Sequence, residues 1–252
     1  MYVRTLVSAY LNVNSKNRSA AEYLEFAQSL LKADCPKIIF IDEQLAHQFA
    51  SKFASKNLKL IVINKTHFYL LEEYKNNPEC FNNFYKINGN AEKDTLEYIS
   101  IVCNKTEFMK QAIDMNPFET EGFVWVDFGM KHACPEISPE HYPSLLESLA
   151  AKPITQEEQR AVRIGHIWDL GMPSPSNVLH DIQWYFAGGV FGGTATPLLE
   201  FAKKTREKCL AIIDEHRLLP WEVNVWYLVS LEQRELFSVY PCVHNSLVIT
   251  NY

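Results

Sequence analysis

The first 65 residues repeat one pattern: a short apolar run, then a segment with apolar residues at helical spacing. The runs are VRTLVSAYL (3–11), KIIFID (37–42) and LKLIVINK (58–65). They are β-branched or continuously apolar and short, as strands buried on both faces are. Between them lie RSAAEYLEFAQSLLK (18–32), which Asn17 or Ser19 can cap, and EQLAHQFASKFA (43–54), with Leu45, Phe49 and Phe53 on one side. A βαβαβ opening of this kind predicts a parallel sheet with helices on its faces.

The rest of the chain continues in mixed order. Residues 66–100 read as one or two helices joined by loops, and TLEYISIVCNKTEFMKQAIDMN (95–116) reads as a helix stopped before Pro117. GFVWVDFGMKH (122–132) holds another buried strand, ending on Asp127. Residues 134–180 are proline-rich and predicted to be mostly loop, with a helix at 143–151 and a strand near 161–168. WYFAGGVFGG (184–193) is a strand or turn. TPLLEFAKKTREKCLAIIDEHRL (196–218) is a helix with Pro197 in its first turn. A short helix near 221–231 and a strand-like end around 236–250 complete the reading. There is no internal repeat and no linker, so 252 residues are expected to form a single domain.

Composition limits the function classes. With 47% hydrophobic residues the chain is an ordinary globular protein. A net charge of −6 argues against general nucleic-acid binding, which needs clustered Lys and Arg. No run of about 18 apolar residues occurs, so no transmembrane segment is expected. Six scattered cysteines without a CxxC pair suit free thiols in a reducing compartment, hence a cytoplasmic location. Sequons at Asn17, Asn64 and Asn104 read as chance occurrences in an Asn-rich chain.

Asp127 is the sharpest chemical signal. An acidic residue at the carboxyl end of a buried strand, followed by Phe128-Gly129, faces the crevice where open α/β sheets bind ligands. There it can hold Mg²⁺ or Mn²⁺ and so neutralise a diphosphate, or it can simply cap the next turn. Gly188, Gly189, Gly192 and Gly193 are four of the nine glycines, packed into six residues beside Trp184, Tyr185, Phe186 and Phe191. Such a segment marks a close backbone approach to a ligand, with rings to stack on a sugar, or else a tight hairpin or bulge. His244 is a candidate second metal ligand or a surface histidine, and His132 and His141 compete with it. Glu222 is a candidate general base, or a favourable charge at a helix start. Arg18 and Lys105 are candidate phosphate partners. Ser8, Ala9 and Tyr10 end the first strand, where Tyr10 can stack on a base.

In order along the chain, TLVSAYLNV, Arg18 with Glu22-Tyr23, PKIIFID, NPFETEGFVWVDFGMKH, WYFAGGVFGG and a late HN together resemble the HtrL/YibB-type family. These proteins of bacterial surface-polysaccharide clusters are taken to be glycosyltransferases. VWVDFG and AGGVFGG are the most specific parts. The resemblance implies a GT-A-like α/β fold: a Rossmann-type mixed central sheet with helices on both faces. Residues about 1–130 would form the nucleotide-sugar half and about 131–252 the acceptor half. It implies transfer of a sugar from a nucleotide-diphosphate sugar donor to a saccharide or glycan acceptor. Asp127 would take the role of a metal-binding DxD motif, with His244 completing the site for Mn²⁺ or Mg²⁺. Gly188, Gly189, Phe191, Gly192 and Trp184 would shape the donor-sugar and acceptor pocket, and Glu222 or Asp181 would be the base. One departure is plain: the usual motif has two acids, and Val-Asp-Phe-Gly has one. That leaves, as the alternative, a non-catalytic nucleotide- or carbohydrate-binding protein with the same fold.

Overall fold

The alternating opening is realised almost residue for residue. The computed structural model describes residues 2–13, 19–52, 55–90, 92–174 and 176–252. Strand β1 (Arg4–Tyr10), helix α1 (Ala20–Lys32), β2 (Lys37–Asp42), α2 (Glu43–Lys52) and β3 (Leu58–Ile63) follow one another. Ser19 starts α1 with a reciprocal capping box to Glu22. Then come α3 (Tyr69–Asn76), α4 (Leu96–Cys103), α5 (Lys105–Met115), β4 (Gly122–Val126), α6 (Tyr142–Ala151) and α7 (Gln156–Arg160). The chain ends with β5 (Val162–His166), β6 (Phe186–Thr194), α8 (Ala195–His216), α9 (Glu222–Glu232), β7 (Phe237–Pro241) and α10 (Leu247–Thr250).

Among the described residues seven strands form one continuous sheet in the order β3-β2-β1-β4-β6-β5-β7. β1 to β4 are parallel, β6 runs antiparallel to both β4 and β5, and β7 is parallel to β5. Strand alternation sends Val7, Ile38, Phe40 and Trp125 into the core on one face, and Leu6, Ile39, Ile41 and Val124 into the core on the other. This is the single-domain, mixed α/β sheet of the GT-A-like expectation.

Three details differ from the expectation. The helix read over 95–116 is two helices meeting at Asn104, whose N–H is shared between Ser100 O and Ile101 O. The expected strand-like end is β7 followed by the short helix α10. Helix α7 was unforeseen, although Thr155 and Glu158 make a capping box that announces it. Among the sequons, Asn104 is only 1% exposed and is closed to glycosylation, while Asn17 lies outside the described residues. All six cysteines are free. No helix among the described residues is long and apolar enough to cross a membrane.

At the amino-terminal end of β1, Arg4 is buried with Glu158. Its guanidinium donates to both Glu158 oxygens, to Lys152 O at 3.0 Å and to Pro153 O at 2.7 Å. The Tyr252 hydroxyl donates to Glu158 Oε1 at 2.9 Å. This knot ties α7 and the last residue to the first strand.

Candidate active site

β1 and β4 end at the same edge of the sheet, and β6 begins there. A cavity of about 330 Å³ opens at that edge, the position where open α/β sheets bind ligands. Asp127 immediately follows β4, and its N–H donates to Gly189 O at 2.9 Å. The Trp125 indole Nε1 donates to Asp127 Oδ1 at 2.6 Å. Lys105 is the first residue of α5 and Glu222 the first of α9, so two helix starts converge on this strand end.

The Lys105 ammonium joins them. Its Nζ lies 2.9 Å from Asp127 Oδ1, 3.1 Å from Oδ2, 2.9 Å from Glu222 Oε1 and 3.0 Å from Gly188 O. Burial alone would depress the lysine, but Asp127 and then Glu222 more than reverse this and hold it above its ordinary value. The Asp127 side chain remains 37% exposed, whereas that of Glu222 is 10% exposed.

The glycines explain why Glu222 and Met130 fit. A methyl on Gly188 would sit 2.7 Å from Glu222 Oε1 and 2.9 Å from Val223 Cγ1; one on Gly189 would sit 2.8 Å from Met130 Sδ. Gly188→Ala is therefore expected to push Glu222 off Lys105. Donor turnover should fall about a hundredfold, because misplacing a reacting group by about 1 Å has that effect. Parallel melting curves should drop by roughly 2–10 °C with folding retained, since a single added methyl costs about 1–3 kcal/mol. Gly129 has a different reason: a methyl there would meet the Tyr23 ring at 3.1 Å.

Aromatic rings wall the cavity. Tyr10 stacks on Phe128 at 5.0 Å and tilts against Tyr23 at 5.1 Å. Tyr10 is 8% exposed, and Tyr23 lines the cavity beside it. Trp184 meets His244 edge-on at 4.4 Å. Tyr98 also lines the cavity. Burial, then Glu222, push its hydroxyl well above the usual tyrosine range.

Asp127 and His244, the residues expected to hold a divalent ion, both line the cavity, as does the competing His132. Burial lowers the His244 imidazole below its ordinary value, which favours the neutral, ligating form. The N–H of Ser246, two residues on, is held by Glu136 Oε1 at 2.7 Å. Among the described residues no three His, Cys, Asp or Glu side chains gather as a metal site. The Asp127 carboxylate suits Mg²⁺ or Mn²⁺ with remaining oxygens from a phosphate and water, whereas an imidazole ligand suits a transition-metal ion better than Mg²⁺.

Of the residues expected at the site, Ala9, Tyr10, Lys105, Asp127, Trp184, Gly188, Gly189, Glu222 and His244 line this cavity. Four others do not. Ser8 is fully buried two residues short of the strand end, paired with Ile39. Phe191 is packed in the core between Trp125, Phe201 and Trp226. Gly192 lies deeper in β6, where a methyl would meet Tyr252 and Phe123 O. Asp181 is bonded to Asn88 Nδ2 at 2.8 Å in a loop beside Ile182, the neighbour that does reach the cavity. Arg18 lies outside the described residues. Sequence reasoning missed Tyr23, Lys93, Tyr98 and Trp125; only Trp125 carried a signal, two residues before Asp127 on the same strand.

In structure the chain is similar to the crystal structure of mouse xyloside xylosyltransferase 1 in its apo form. The identity is 12% and the TM-score 0.44, over 96% of this chain and 85% of that chain. No curated protein matches the sequence significantly. Residues 3–148 match the family described as "Bacterial protein of unknown function (HtrL_YibB)". That span is more than half of the chain and holds β1 to β4, Lys105 and Asp127, so this protein belongs to the HtrL/YibB family.

Proposed function

We propose that the protein is a glycosyltransferase that moves a sugar from a nucleotide-diphosphate donor to a hydroxyl of a saccharide or glycan acceptor. The observation that carries this reading is the pair of carboxylates, Asp127 and Glu222, bridged by Lys105 at a cavity beyond the carboxyl ends of β1 and β4. Hydrolysis of a glycoside needs one carboxylic acid that gives its proton to the leaving oxygen. Here both carboxylates on the described cavity wall accept from an ammonium. Such a site suits a leaving group that departs without a proton, and a diphosphate is one.

In this reading the bond between the anomeric carbon and the phosphate oxygen breaks, and its electron pair stays on the diphosphate. The acceptor oxygen bonds to the anomeric carbon, and its proton passes to the Glu222 carboxylate, the candidate base that reaches the cavity. The Tyr10, Tyr23 and Phe128 rings border the base and ribose, and Trp184 offers an apolar face to a sugar. Asp127 and His244 would hold Mn²⁺ or Mg²⁺, which when bound supplies positive charge to the leaving diphosphate.

A ligand that binds only the native state raises its melting point. UDP, GDP, CDP and dTDP, each with Mn²⁺, form the first panel. One of them at a hundred times its Kd is expected to add about 2.7 kcal/mol, a shift of roughly 5–10 °C for a chain this long. The matching nucleotide sugar should release nucleoside diphosphate. Binding without release would favour the non-catalytic alternative, and no shift with any nucleotide would end the proposal.

A further inference from the structure

We infer that Lys105 is a positioning residue: it fixes Asp127 and Glu222 relative to each other and touches neither donor nor acceptor. The inference deepens the sugar-transfer reading and rests on it for its turnover readout alone.

An ammonium has three hydrogens. Around Lys105 Nζ stand four protein acceptors within 3.1 Å: both Asp127 oxygens, Glu222 Oε1 and Gly188 O. No hydrogen is left to offer a phosphate. The side chain is 8% exposed, less than the carboxylate of Asp127 at 37%, so Lys105 sits behind the acid that a ligand would meet.

The contacts reach across the fold. Lys105 begins α5, Asp127 follows β4, Gly188 is in β6 and Glu222 begins α9. Their separations from Lys105 in sequence are 22, 83 and 117 residues. Two like charges brought from different elements would otherwise repel each other. Gly188 leaves room where Glu222 reaches the ammonium, since a methyl there would lie 2.7 Å from Oε1. Trp125 Nε1 is a second restraint on Asp127, and it gives the arrangement a spectroscopic reporter.

The test replaces Lys105 with Met and follows three quantities: the Trp125 indole N–H resonance, the affinity for the nucleoside diphosphate found in the binding panel, and donor turnover. The double variant Lys105→Met/Glu222→Gln is measured beside it, because it leaves one carboxylate without a counter-charge rather than two and is the better-folding form. The Trp125 resonance should move in both variants. Nucleotide affinity should stay within about threefold of wild type, while kcat for the single variant falls about a hundredfold with KM nearly constant. A tenfold or larger loss of nucleotide affinity with an unmoved Trp125 resonance would make Lys105 a phosphate ligand and overturn the inference. Unchanged resonance and unchanged turnover would also overturn it, reducing Lys105 to packing. If wild type binds no nucleoside diphosphate, the sugar-transfer reading fails by itself. The Trp125 resonance in the two folded variants then still decides whether Lys105 holds Asp127.

Discussion

Asp127→Asn is expected to lower donor turnover by about a thousandfold while the protein still folds. Asparagine keeps the volume of the side chain and the acceptor for the Trp125 indole, which donates to Oδ1 at 2.6 Å. Lys105 retains Glu222 Oε1 at 2.9 Å and Gly188 O at 3.0 Å, so its charge stays paired. What disappears is a negative charge that is both held in place and open to the cavity. Removing a single preorganised electrostatic group from an active site typically costs about 10²–10³ in kcat. The proposed role of Asp127 as an ion's carboxylate ligand puts this variant at the upper end. The extra melting shift that Mn²⁺ adds to that of the nucleotide should vanish, while the shift without metal survives. Wild-type turnover in the variant would remove Asp127 from the mechanism.

Arg4→Met should have the largest effect on stability. Arg4 and Glu158 are each 1% exposed, and the guanidinium also donates to Lys152 O and Pro153 O. Removing one partner of a buried pair leaves the other charge uncompensated, at a cost of about 3–5 kcal/mol. For a chain of this length that lowers Tm by roughly 10 °C. Arg4→Met/Glu158→Leu should recover much of the loss, because an apolar pair of similar size avoids the stranded charge. An Arg4→Met variant that melts with wild type would show the pair to be energetically idle.

The same pair sets a pH dependence. Burial raises the Glu158 carboxyl, but the Arg4 hydrogen bonds and the Thr155 N–H outweigh it, and the net is below the ordinary value. A carboxyl lowered by folding contributes its full stability above the unfolded pKa of about 4.3. It loses that contribution as pH falls through the lower folded value. Acid melts of wild type should therefore show a component below about pH 4.3 that Arg4→Met/Glu158→Leu lacks.

The βαβαβ opening was legible because each element carries its own signal. Short apolar runs such as KIIFID must be buried on both faces, and helical spacing plus the Ser19–Glu22 box fixes where α1 starts. The strand end at Asp127 was legible for the same reason: a run of five buried residues stops at an acid. The glycine segment was recognised but only half resolved. Depth along β6 brings Gly188 and Gly189 to the cavity and leaves Phe191 and Gly192 in the interior. No periodicity distinguishes the two halves, because depth along β6 is set by its register with β4.

The class of fold, the parallel opening and the acid at the end of β4 follow from local patterns of burial along the chain. What Asp127 meets there follows from packing between distant segments. Lys105 and Glu222 stand 22 and 95 residues away from it in the chain, in positions that local pattern reads as ordinary helix starts. The structure also shows Lys105, expected as a phosphate partner, bridging two carboxylates. An ammonium's role depends on which acceptors come within about 3 Å of it. That proximity is fixed by how α5 and α9 pack against the end of the sheet.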